Sequence, residues 1–223
     1  MDLSKCQLDY LPNTDIYYYQ HWDMFHTNTD TALLGEFADI RKKDIVLDIG
    51  TNNGALLLYA MRKQPRQLIG VDINEKACEL ADYNLNHYHH AQAEIYACDI
   101  LQFVHTPISC IVCNPPYFKV NDVKQLNHNE QISTARHEAK LTLESLIKKV
   151  SELLVDKGRL YMIQRSDRLI DVIAACRNHH MEIKKLKLVY DEAKSDAQSI
   201  LIEAMKNGKP GCRILPIHMT KRL

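Results

Sequence analysis

Apolar residues along this chain fall into short runs separated by longer stretches with helical spacing. Ile45-Val46-Leu47-Asp48-Ile49, Leu68-Ile69-Gly70-Val71-Asp72, Glu94–Ala97 and Ile108–Cys113 are brief and bounded by turn residues, as strands of a buried sheet are. Between them lie segments whose apolar residues return every three or four positions. Leu33, Leu34 and Phe37 follow an N-cap at Asn28 or Thr29, a second segment runs from Ala55 to about Arg62, and a third covers Glu75–Asn86. Leu141–Leu154 presents Leu143, Leu146, Ile147, Val150 and Leu153 on one face, and Asp167–His179 is a further helix. Lys157-Gly158 turns into a strand over Arg159–Gln164, and Ile183–Tyr190 and Ala197–Met205 read as two more. Tyr17–Tyr19 reads as a short strand near the start. This alternation predicts an α/β fold with a mainly parallel sheet and helices on both faces. A polar loop from Phe118 to Glu138 exceeds the ~12–15 residues of an idle connection.

Composition narrows the class without naming the chemistry. At 223 residues and 46% hydrophobic, the chain suits one globular domain with small extensions, read as 1–26, 27–207 and 208–223. No apolar run approaches the ~20 residues that cross a bilayer, and no basic stretch leads into an apolar core at the start. Both point to a cytoplasmic protein with no membrane partner. Seven scattered cysteines read as reduced thiols. Cys110 and Cys113 lie inside an apolar strand without a second ligand pair, so they read as small buried residues. His87, His89 and His90 read as an exposed helix end, and no metal is expected. The net charge of +0 hides an asymmetry: seven acids and only Lys5 in residues 1–40, nine Lys or Arg against four acids in 183–223. A basic C-terminal end is a footprint for a phosphate backbone, or else a solvated face.

The chemistry concentrates where strands end. Ile108–Cys113 stops at Asn114-Pro115-Pro116-Tyr117, because neither proline has an N–H for a sheet ladder and each pushes the preceding residue into extended geometry. Such a turn suits a planar group carrying an amine: the Asn114 carboxamide oxygen and the Pro115 carbonyl accept its hydrogens while the Tyr117 ring stacks on its plane. Asp48-Ile49-Gly50-Thr51-Asn52-Asn53-Gly54 bridges a strand and a helix; Gly50 permits close approach of a ligand, and Gly54 lets the helix pack near the strand. It lacks the pattern of a dinucleotide or phosphate loop and fits an uncharged or cationic adenosyl ligand instead. Asp72 ends the next strand, where an acid accepts ribose hydroxyls, and Asp99 ends the third, placed for an adenine amine. Singly, such acids are ordinary turn formers. Three on successive strands, with the N-P-P-Y turn on a fourth, form a specific combination, because ligands of open α/β sheets bind at that edge.

With these motifs the chain resembles the class I S-adenosylmethionine-dependent methyltransferases that carry an [N/D/S]-P-P-[Y/F/W] motif and methylate nitrogens conjugated to a π system. The resemblance implies a Rossmann-like, mainly parallel sheet of seven strands with an antiparallel last strand. It implies S-adenosyl-L-methionine as cofactor, held by Asp48, Gly50 and Gly54, by Asp72 with Ile73, and by Asp99. Asn52 stands where that family commonly has a glycine, and asparagine tolerates positive φ better than most residues. More narrowly, Phe25-x-x-x-Thr29-Asp30-x-x-Leu33-Leu34, N-P-P-Y-F-K at 114–119, A-R-H-E at 135–138 and G-K-P-G at 208–211 resemble the bacterial valine-tRNA adenine-37 N6-methyltransferases. That likeness implies a cofactor-binding lid at Thr29 and Asp30, a cofactor contact by Asn114, catalysis by Asn114, Pro115 and Tyr117, and tRNA as partner. Lys119, Arg136, His137, Lys209 and Arg213 are candidate RNA contacts. A protein glutamine, a ribosomal RNA or DNA amine remains an alternative acceptor, and a non-catalytic cofactor- or RNA-binding module a remote one. Whether the chain is a monomer or a homodimer is left open.

Overall fold

The computed structural model describes residues 2–105, 107–115 and 141–220. The long polar loop therefore lies outside the described residues, together with Tyr117, Lys119, Arg136 and His137.

The chain opens with an antiparallel hairpin, β1 (Cys6–Tyr10) and β2 (Tyr17–His21). Helix α1 (Thr29–Phe37) follows, capped by Asn28, whose side-chain oxygen accepts from the Thr31 N–H. The sheet then builds through β3 (Ile45–Ile49), α2 (Ala55–Met61), β4 (Gln67–Asp72), α3 (Glu75–Asp82), β5 (Glu94–Ala97) and β6 (Ile108–Cys113). Helix α4 (Leu143–Leu153) begins at a Thr142–Ser145 capping box and leads into β7 (Leu154–Arg165). The second half continues with α5 (Leu169–Asn178), β8 (Met181–Asp191), β9 (Ala197–Lys206) and two short strands, β10 (Arg213–Ile214) and β11 (His218–Thr220).

The strand order is β10-β8-β9-β7-β6-β3-β4-β5, with β11 also on β8. Strands β5, β4, β3, β6 and β7 run parallel, and β9 enters antiparallel between β7 and β8. The seven expected strands are thus present in a nine-stranded sheet. The two extra strands come from the basic C-terminal stretch, which adds parallel pairings to β8 rather than trailing from it.

Every residue of β3 is buried, which fits a central strand covered on both faces. Ile45, Leu47 and Ile49 face the layer of α4 and α5, with Leu146, Ile147, Val150 and Val172. Val46 faces the opposite layer, where Leu34 of α1 and Leu57 and Leu58 of α2 are wholly buried. Burying such a side chain is worth about 1.5–3 kcal/mol, so the two layers hold the central strand ends in place.

At the edge away from the strand tips, Arg159 of β7 is 3% exposed and bridges Asp44 at 2.5 Å. Asp44 also accepts from the Arg41 N–H and the Ser109 hydroxyl, and Arg159 donates to the Asp39 carbonyl. Both members of this buried charge pair thus have further hydrogen-bond partners, as a low-dielectric setting requires.

Candidate active site at the strand tips

The order β6-β3-β4-β5 brings Asn114, Asp48, Asp72 and Asp99 to one edge of the sheet on four neighbouring strands. Each has a different local reason for its position. Asn114 follows the last residue of β6, where the prolines stop the ladder, and its Nδ2 donates to Thr31 Oγ1 at 3.3 Å. Pro115 is buried beside it.

Asp48 lies one residue inside β3 and is 1% exposed. Neither carboxylate oxygen has a hydrogen-bond partner among the described residues, and the Thr51 hydroxyl beside it has none either. Burial pushes the Asp48 pKa up to about 7, opposed by the nearby Thr51 hydroxyl, which stands close without reaching hydrogen-bond geometry, and reinforced by the charge of Asp72. A buried acid without a partner is costly unless something cationic arrives.

The turn after β3 stays open. Gly50 has φ +75 and no heavy atom within 4 Å of where a Cβ would stand, while its N–H and that of Thr51 both donate to the Val71 carbonyl. Asn52 takes the positive φ (47°) that the sequence demanded of it. Its N–H donates to Asp72 Oδ2 at 2.9 Å, and its side chain donates to the Phe25 carbonyl at 2.6 Å. Asp72, at the end of β4, also accepts from the Asn74 N–H at 2.9 Å, so both its oxygens are oriented by backbone. Burial raises its pKa, and the N–H groups of Asn74, Asn52 and Ile73 hold it down. Ile73 beside it is 49% exposed at the rim. Asp99 sits two residues past β5, its Oδ1 accepting from the Leu101 N–H at 2.9 Å.

Gly54 plays a different part from the one its sequence position implied. It is buried, has φ +82 and starts α2; a Cβ there would meet Leu85 at 3.0 Å and Ala81 at 3.5 Å. Its missing side chain makes room for α3 and its continuation, not for the adjacent strand. Asp30, expected in a lid over the cofactor, accepts at its Oδ1 from the Ser199 hydroxyl near the start of β9, while Thr29 stands exposed at the first position of α1. The start of α1 therefore spans β6 and β9. Lys209 and Arg213 do not approach these strand tips. Lys209 lies beside the beginning of β8, where its carbonyl accepts from Lys184 Nζ, and Arg213 pairs level with Lys185. Since β8 runs parallel to β7, that is the outer side and lower half of the sheet.

Sequence reasoning missed a polar clasp behind the turn. Gln20 Oε1 accepts from the Thr27 N–H and from Asn53 Nδ2, and Asn53 Nδ2 also donates to Thr27 Oγ1. Asn84, wholly buried, donates to the carbonyls of Asn53 and Tyr19 and accepts from the Tyr19 N–H. It reaches both because the helix widens into a π turn over Tyr83–Tyr88. The Asn52-Asn53 pair in the turn was the available signal. The histidines of the same segment are engaged locally: His87 stacks on Tyr83, and His89 Nε2 meets the Tyr17 carbonyl at 2.6 Å.

An open glycine turn, a backbone-oriented acid at the next strand end and a buried unpaired carboxylate without a basic neighbour in the turn fit S-adenosylmethionine, whose sulfonium and ammonium are cationic. The parallel sheet with one antiparallel insertion and this set of strand tips define a class I S-adenosylmethionine-dependent methyltransferase. Residues 26–188 match the methyltransferase small domain model, and the chain belongs to that family. It is similar to the tRNA1(Val) (adenine(37)-N6)-methyltransferase of a Flavobacteriaceae bacterium (strain 3519-10), at 29% identity over 84% of this chain and 80% of that one. The enzyme of the same name from Aliivibrio salmonicida is 31% identical over 79% of this chain and 75% of its own length. Among solved structures, a predicted O-methyltransferase from Agrobacterium tumefaciens superposes with a TM-score of 0.63 at 20% identity, covering 86% of this chain and 87% of that one. That likeness concerns the fold.

Among the described residues no helix is long and apolar enough to cross a membrane, and no three His, Cys, Asp or Glu residues cluster as metal ligands.

Proposed function

We propose that this chain methylates the exocyclic N6 of an adenine in tRNA, at position 37 of a valine tRNA, and does so in the cytoplasm. The observation that carries the reading is the placement of Asn114 at the tip of β6, next to the tips that hold Asp48, Asp72 and Asp99. The names of the relatives support the choice of acceptor. Asp48, Gly50, Asp72, Ile73 and Asp99 would hold the cofactor. Bound S-adenosylmethionine supplies a methyl group on a positively charged sulfur.

The adenine N6 lone pair is delocalised into the ring and is a poor nucleophile. Asn114 Oδ1 and the Pro115 carbonyl accept the two N–H hydrogens, which favours a tetrahedral nitrogen and frees its lone pair. The same two acceptors stabilise positive charge as it develops there, a differential interaction of the kind that lowers a barrier. Fixed alignment supplies the remainder. The surplus N6 proton would then leave to water, with S-adenosyl-L-homocysteine as the other product. Tyr117 would stack on a base turned out of its loop.

The test incubates the protein with methyl-labelled cofactor and separate pools of unmodified tRNA, DNA and release factor, then digests whichever pool is labelled. N6-methyladenosine from the tRNA pool is the expected product. Methylated glutamine or a labelled DNA base would replace the reading with its alternative. Asn114→Ala should lose turnover by about 100-fold or more while the cofactor still binds; full activity in that variant refutes the assigned role.

A further inference from the structure

We infer that Thr31 is a positioning residue that decides which way round the Asn114 carboxamide stands, so that its oxygen and not its nitrogen faces the acceptor amine. The inference rests on the function proposed above and adds to it a residue that neither touches substrate nor belongs to the N-P-P-Y turn.

The two ends of a carboxamide have the same shape, and only their hydrogen-bond partners tell them apart. Reversal would be fatal here, because an N–H pointed at an amine N–H is a donor facing a donor. The orientation follows from a polarity chain that starts in the backbone. The Thr31 N–H can only donate, and it donates to Asn28 Oδ1 at 3.1 Å as the cap of α1. That contact fixes the Asn28 oxygen as the atom facing the helix. The Thr31 hydroxyl lies 3.3 Å from the same oxygen. An amide oxygen accepts only, so the hydroxyl proton is committed to Asn28. What Thr31 Oγ1 has left for Asn114, also 3.3 Å away, is a lone pair. The Asn114 atom that faces it must be the NH2 end, and Oδ1 is turned away with no protein partner among the described residues.

Two features make the chain a directing device rather than a chance contact. Thr31 is 7% exposed, so water does not compete freely for its hydroxyl. The contact also joins residues 83 positions apart, the first turn of α1 and the tip of β6. Movement of the α1 start would therefore be felt at the amide.

The experiment compares Thr31→Val, which keeps the shape and loses the acceptor, with Thr31→Ser, which keeps the acceptor. Each is measured for kcat of methyl transfer to unmodified tRNA, for cofactor affinity by calorimetry, and for hydrogen exchange of the Asn114 side-chain NH2 in 15N-asparagine-labelled protein. Circular dichroism confirms that both variants fold. Thr31→Val should lower kcat about tenfold or more, the scale expected for losing one orienting hydrogen bond. It should leave the cofactor dissociation constant within about twofold and speed exchange of the Asn114 NH2, because the cap of α1 through the Thr31 N–H is retained. Thr31→Ser should resemble the parent in all three. A Thr31→Val protein that keeps either its kcat or its protected Asn114 amide overturns the inference. A parent protein inactive on tRNA refutes the assigned acceptor instead, and the amide exchange then decides the role of Thr31 by itself.

Discussion

Asp48→Asn separates what the fold wants from what the ligand wants. The carboxyl is 1% exposed and unpartnered, and its pKa rises from 3.8 to about 7 in the folded protein. Below pH 4 both the folded and unfolded chains hold the proton, and the acid costs nothing relative to the amide. As pH climbs from about 4 to 7 the unfolded chain releases the proton and the folded one keeps it. Stability then falls with rising pH, by about 1.4 kcal/mol for each pH unit. Above pH 7 the loss levels off at a ceiling of about 4 kcal/mol. Urea titrations of the ligand-free protein at pH 4.5, 6, 7.5 and 9 should therefore show Asp48→Asn gaining on the parent up to pH 7 and holding that lead beyond it. Saturating S-adenosylmethionine should close the lead, since the cation pairs with the ionised parent and not with the amide. Affinity of the parent for the cofactor should likewise tighten from pH 6 to 8. A lead that is independent of pH, or an amide variant less stable than the parent at pH 7.5 without ligand, would refute the picture of a buried acid waiting for a cation.

Other perturbations test neighbouring parts. Asp72→Ala should weaken cofactor binding at least tenfold, measured by calorimetry, because it removes both the acid and the acceptor for the Asn52 and Asn74 amides, each charge-assisted bond being worth about 1.5–3 kcal/mol. Gly54→Ala should cost about 1–3 kcal/mol in urea denaturation, through its φ of +82 and the 3.0 Å approach to Leu85. Arg159→Met should cost about 3–5 kcal/mol by leaving Asp44 charged and buried without its partner, with cofactor affinity preserved in whatever protein remains folded.

Much of this architecture was legible because the local signals agreed with the tertiary outcome. Ile108–Cys113 reads as a strand, and it is one, since the prolines leave its ladder nowhere to continue. Asn28 as a cap and Asn52 at positive φ follow from side-chain chemistry that acts within a few residues. What was not legible depends on distant pairing. Cys6-Gln7-Leu8-Asp9-Tyr10 becomes a strand because β2 pairs with it, although its polar–apolar alternation was a usable hint. Leu154 to Gly158 looked like a helix end and a turn, yet β7 already begins at Leu154, which pairs with Ile108 across a shifted register. The helix after Glu75 was expected to run evenly to Asn86. Its π turn does not disturb the spacing of apolar residues, so no sequence period reports it. At the site, the acids were legible as strand-end residues, whereas Thr31 was not, because its role depends on an Asn114 that lies far along the chain.

The short strands β10 and β11 have a consequence for how copies of this molecule meet one another. An outermost strand normally shows a row of free amides and carbonyls to any passing polypeptide, an invitation to fibril growth. Here β8 has that row taken at Lys185–Leu186 and again at Val189–Asp191 by the chain's own later residues. The protein thus brings its own selvedge, so that an approaching polypeptide meets two strands of two and three residues in place of the eleven-residue β8.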